Sequence, residues 1–92
     1  MNGFEDSLTS YLEVVDRKGT SDNGETAFIT IYPRILEATV KKDIKALQRM
    51  HEIMVKKEEE RDGNVPPEFG NYKHGLSAVI YHIKNSQKKL II

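Results

Sequence analysis

Residues 33–61 read PRILEATVKKDIKALQRMHEIMVKKEEER, and this stretch decides the fold class. After Pro33 it contains no proline or glycine, and it is rich in Lys, Glu, Ala, Leu, Gln and Met, which are strong helix formers. Its apolar residues return every three or four positions, as they do on one face of a helix. They are Ile35, Leu36, Val40, Ile44, Leu47, Met50, Ile53 and Met54. The stretch predicts one long helix through the centre of the fold, about 40 Å in length at roughly 1.5 Å per residue.

A second helix is predicted at the N-terminal side of the chain. Asn2 followed by Glu5 is typical of a capped helix start, and Gly19 directly after Arg17 and Lys18 is typical of a helix end. The apolar stripe of this helix consists of Phe4, Leu8, Tyr11, Leu12 and Val15.

A third helix follows the turn at Pro66-Pro67 and is predicted to continue to about Asn85. Its apolar stripe consists of Phe69, Tyr72, Leu76, Val79, Ile80 and Ile83. Gly70 and Gly75 weaken this helix by up to about 1 kcal/mol each relative to alanine. The alternative at Gly75, with the small residues Ser77 and Ala78 nearby, is that it permits another helix to approach closely.

Residues 26–33, TAFITIYP, are open to two interpretations. Their β-branched and aromatic side chains suit a strand. Phe28, Ile31 and Tyr32 also have helical spacing, Asp22 with Glu25 would cap such a helix, and Pro33 would kink it or begin the next one. We favour the helix, because a lone strand would need a partner.

These stripes together predict an all-α protein: a small antiparallel three- to four-helix bundle with one long central helix, formed by residues 1–92 as a single domain. Helices of unequal length leave part of the long one uncovered. A second copy of the chain would cover that part, so we expect a homo-oligomer, most simply a two-fold dimer.

Composition narrows the cellular setting and the class of partner. The 92 residues include no cysteine, which favours a reducing compartment, and 14 basic residues balance 14 acidic ones. No apolar run approaches the roughly 18–20 residues that a membrane span needs, and the first residues lack the pattern of a signal peptide. We expect a cytoplasmic protein with no membrane partner.

The sequence contains no motif that is typical of a catalytic or cofactor-binding site. There is no cysteine nucleophile, no Gly-x-Ser-x-Gly elbow and no Gly-rich phosphate loop. His74 and His82 would lie about 12 Å apart on one helix, too far for a shared metal ion, and His51 fits a partly buried packing position. We therefore expect no enzyme activity, no metal and no cofactor.

Candidate partner-binding residues come from a basic row and from aromatic positions. Lys41, Lys45 and Arg49 have a spacing of four, which would place them in a row on one face of the long helix. Such a row would suit phosphates or an acidic protein surface. The complete set of candidates is Arg34, Lys41, Lys45, Arg49, Tyr72, Lys73 and Tyr81.

The function these patterns predict is a non-enzymatic helical protein-interaction module, a homo-oligomeric inhibitor, immunity or regulatory protein. The alternative is a nucleic-acid- or nucleotide-binding regulator that uses the basic helix face. In size, charge and helical pattern the chain is similar to bacteriocin immunity proteins, antitoxins and phage-encoded inhibitors, and that likeness carries no site residue with it.

Overall fold

The computed structural model describes residues 3–18 and 24–91, with side chains up to residue 86. Within these ranges there is no strand, and the helices are α1 Gly3–Lys18, α2 Glu25–Thr30, α3 Tyr32–Val40, α4 Ile44–Glu60 and α5 Pro67–Ile91. The all-α prediction is confirmed. The predicted caps Asn2 and Asp22 and the predicted helix stop at Gly19 lie outside the described residues.

The ambiguous segment 26–33 is helical, as we favoured. Helix α2 begins after Gly24, which has a φ of 80°, and Ile31 joins it to α3. Pro33 lies in the first turn of α3, where its missing N–H costs no helical hydrogen bond. The segment therefore forms two short helices with a joint at Ile31.

The prediction of one long central helix is wrong, because the chain turns at residues 41–43. Lys42 has a φ of 55°, its N–H donates to the carbonyl of Thr39 at 3.0 Å, and the N–H of Asp43 donates to the carbonyl of Ala38 at 2.9 Å. These are the paired bonds of a Schellman ending. The Asp43 carboxylate then accepts a hydrogen bond from the N–H of Ala46 at 3.2 Å and caps α4.

The apolar core follows the stripes of α1, α4 and α5. The stripe of α1 is completely buried, as predicted, and α4 packs most extensively against α5. The buried apolar residues are Phe4, Leu8, Tyr11, Leu12, Val15, Ala27, Ile31, Ile35, Ala38, Leu47, Met54, Phe69, Leu76 and Ile83. Leu36 and Val40, which we placed in the core stripe, are exposed instead. The turn at residues 41–43 separates their helix from α4, and α3 packs inward through Ile35 and Ala38.

Polar contacts connect α1 to the other helices. The hydroxyl of buried Tyr11 donates to Glu68 Oε2 at 2.7 Å, so its burial leaves no unmet hydrogen bond. Arg61 donates to both carboxylate oxygens of Asp16, at 2.8 and 3.2 Å. The hydrogen bonds from Arg61 hold the pKa of Asp16 below its ordinary value of 3.8.

The alternative of a close helix approach at Gly75 is wrong. A Cβ built there meets no atom within 4 Å, and the same holds at Gly70. Replacing either glycine by alanine should raise the free energy of unfolding by about 0.5–1 kcal/mol, because alanine loses less backbone freedom on folding. Urea titration followed by circular dichroism measures this change.

Gly63 is the matched control, since a Cβ there also meets nothing within 4 Å, but its φ is 77°. Gly63→Ala should therefore destabilise the fold by about 1 kcal/mol, from backbone strain alone. Equal effects at Gly75 and Gly63 would contradict the described helix geometry.

The cap at the turn makes a second prediction. Asp43→Ala should lower the free energy of unfolding by about 1 kcal/mol, because the N–H of Ala46 loses its acceptor. Asp43→Asn should keep nearly all of the stability, since asparagine caps equally well. If both variants unfold at the same denaturant concentration, α4 does not depend on this cap.

Candidate functional site

The predicted row of basic side chains does not exist as one helix face. Lys41 ends α3, whereas Lys45 and Arg49 lie on α4, beyond the turn. The spacing of four holds only along an uninterrupted helix. The turn at residues 41–43 therefore overturns that part of the prediction.

Some of the basic candidates meet again at a cavity of about 270 Å³ between α1, α3 and α4. Arg34, Lys41 and Arg49 line it, together with the carboxylates of Glu5, Glu37 and Asp43. Lys45 is not among the lining residues. The cavity therefore carries both signs of charge.

Several of the charged groups at this cavity are already engaged. The Lys41 ammonium lies 3.4 Å from Glu37 Oε2, and Arg34 Nε donates to Ser7 Oγ at 2.8 Å. Asp43 is occupied in capping α4. A surface for a polyanion needs an excess of positive charge, and this cavity does not have one.

The candidates on α5 lie apart from this cavity and make separate contacts. Lys73 forms an ion pair with Glu58 of α4. Tyr81 is 64% exposed and its ring meets His82 edge-on at 6.0 Å. Tyr72 is partly buried against Tyr32, with 6.2 Å between ring centroids. The sequence-predicted set therefore does not form one site.

A groove of about 220 Å³ lies between α3 and α5, and we call it the α3–α5 face. None of its lining residues is charged, although 30% of the chain is. The face is lined by Tyr32, Ile35, Leu36, Thr39, Asn71, Tyr72, Gly75, Leu76 and Val79. Of the predicted candidates, only Tyr72 belongs to it.

A line of apolar side chains extends this face along α2 and α3. Phe28 is 60% exposed, Leu36 45% and Val40 73%, and with Tyr32 they recur at every fourth position. Phe28 stacks on Tyr32 with 5.3 Å between ring centroids and 10° between ring planes. We call these four residues the ridge. The spacing of the ridge residues was visible in the sequence, but the exposure of their side chains was not.

The two ends of the ridge differ in charge. Glu25 and Glu68 lie beside Phe28 and Tyr72 in a shallow depression at one end, with no basic residue in its lining. Lys42 lies at the other end, two residues after Val40, and is exposed, whereas Lys41 beside it is already paired with Glu37. An uncharged surface thus lies between an acidic end and a basic end.

Burial raises the pKa of the Tyr72 phenol above its ordinary value of 10.0, and Tyr32 and Glu68 add to the shift. The folded state therefore prefers the protonated phenol. The resulting stability is complete below the unfolded pKa and is lost as the pH rises through the folded pKa.

In a titration of tyrosinate absorbance, Tyr72→Phe should thus remove signal from the part of the curve above the usual range. Tyr81→Phe is the control, because that side chain is mostly exposed. An upper part of the curve that is unchanged by Tyr72→Phe would contradict the raised pKa of Tyr72.

Two kinds of feature are absent from the described residues. No group of three or more His, Cys, Asp and Glu side chains there is arranged to hold a metal ion, and no helix there is long and apolar enough to cross a bilayer. In the comparisons with known proteins, no family model, no curated protein and no solved structure matches the chain.

Proposed function

We propose that this chain is a non-enzymatic helical protein-interaction module that works as a homo-oligomer, in the role of an inhibitor, immunity or regulatory protein. The observation that supports the proposal is the α3–α5 face with its ridge. Isolated exposed apolar residues are ordinary on protein surfaces, whereas apolar residues aligned beside an uncharged groove are typical of a binding surface. Since the chain has no cysteine, we propose the cytoplasm as its compartment.

The face has the composition of an interaction surface. Each square ångström of apolar surface removed from water stabilises a complex by about 25 cal/mol before the costs of association. Tyrosine is also enriched among the residues that dominate binding energy. Tyr32 and Tyr72 both line the face and are both partly exposed.

The base of the face is anchored in the core, and such support lowers the entropy lost on binding. Ile35 and Leu76, at its base, are buried in the core. The rings of Phe28, Tyr32 and Tyr72 contact one another in series. These side chains therefore have packing partners within the chain itself.

Binding of nucleic acid through the basic residues is the alternative, and the geometry gives it less support. It would require a surface of one sign, whereas the cavity that brings Arg34, Lys41 and Arg49 together includes three carboxylates. Retention on heparin that falls steeply with salt, and is lost in a Lys41→Glu, Lys45→Glu, Arg49→Glu variant, would favour this alternative.

The proposal is tested by charging the face. Leu36→Glu should convert a sedimenting dimer into a monomer, because a carboxylate in an apolar interface loses its water. Ile29→Glu is the matched control: Ile29 is 66% exposed on the adjacent α2, but it lines a depression on the α1 side. It should leave the sedimentation coefficient unchanged, and circular dichroism checks that both variants stay folded.

The proposal fails if the wild-type chain stays monomeric at high micromolar concentration and co-purifies with no protein. It also fails if Leu36→Glu and Ile29→Glu have equal effects on sedimentation. A partner protein lost only in Leu36→Glu, with no self-association, would support the interaction module and remove the homo-oligomer.

A further inference from the structure

We infer that the α3–α5 face is covered by a second copy of this chain, packed antiparallel about a two-fold axis, with the acidic end of one ridge against the basic end of the other. The inference rests on the proposed function and specifies its partner and geometry. It is carried by the spacing of the ridge and by the charges at its two ends.

The ridge is complementary to itself when one copy is reversed. Its members are spaced by four residues, so a two-fold axis passing midway between Tyr32 and Leu36 sets Phe28 of one copy opposite Val40 of the other, and Tyr32 opposite Leu36. A symmetric dimer uses one patch twice in this way. Each large aromatic ring then faces a smaller aliphatic side chain, which suits close packing.

The charges distinguish the antiparallel arrangement from the parallel one. Glu25 and Lys42 are exposed, and neither forms an ion pair with another described residue. Reversing one copy places Glu25 near Lys42 at both ends of the dimer. Packing the copies in the same direction would place like charges together, which opposes association.

The same charges favour a second copy over a different partner whose charges are all of one sign. A uniformly acidic or uniformly basic segment would match one end of the ridge and be repelled at the other. A second copy supplies both signs in the required order. Charges act over roughly 10 Å at about 0.1 M salt, so direct contact between the paired ends is not required.

The test is a charge exchange between copies. Glu25→Lys and Lys42→Glu are made as separate variants, and self-association is measured by sedimentation at low salt. Each variant alone should self-associate about tenfold more weakly than wild type, because both ends then repel. An equimolar mixture should form mixed dimers of nearly wild-type affinity, since every end again pairs opposite charges.

Two controls test whether the weakened self-association comes from the charges at the ends of the ridge. Glu13→Lys reverses an exposed carboxylate on α1, and it should leave self-association unchanged. The weakening in the single variants should also shrink when the salt concentration is raised to about 1 M, where the screening length falls to roughly 3 Å.

The outcomes separate this inference from the proposed function. Self-association that is abolished by Leu36→Glu but unaffected by the charge exchange would overturn the antiparallel arrangement and leave the interaction module standing. Single variants that are weakened but not rescued by mixing would also overturn it. A wild-type chain that stays monomeric at high micromolar concentration would overturn the second copy as the partner, whether or not another protein binds.

Discussion

The turn at Lys41–Asp43 is the constraint on which the rest of the surface depends. Lys42 adopts a left-handed conformation that costs roughly 1–2 kcal/mol for a residue with a side chain. The Schellman hydrogen bonds and the Asp43 cap offset that cost. Because α3 ends there, its inward side is Ile35 and Ala38, and Leu36 and Val40 become surface residues.

The same turn separates the charged surface from the uncharged one. Lys41 is directed to the cavity that it shares with Arg34 and Arg49, on the side of α3 that faces α1 and α4. The α3–α5 face lies on another side of the same short helix, without any charged lining residue. A helix of only nine residues thus contributes to two surfaces of different chemistry.

The interior supports the face from beneath. A chain of this size buries a smaller share of its surface than larger domains do, so each buried side chain matters more. Tyr11 contributes in two ways. Its ring is buried in the core, and its hydroxyl donates a hydrogen bond to Glu68, at the acidic end of the ridge. The core of α1 is therefore joined through one hydrogen bond to the edge of the candidate interaction surface.

The sequence by itself determined the helices and most of the core, because an amphipathic helix is recorded in local spacing. The stripes of α1 and α5 and the helical nature of residues 25–30 could be predicted in this way. The turn could not, because Lys41 and Lys42 are good helix formers and only Asp43 carries a weak capping signal. Tertiary packing decided that the backbone of Lys42 adopts a left-handed rather than a helical conformation. It thereby also decided which apolar residues face water. The candidate face joins side chains of α3 and α5 that are distant in the chain, and no local pattern could bring them together.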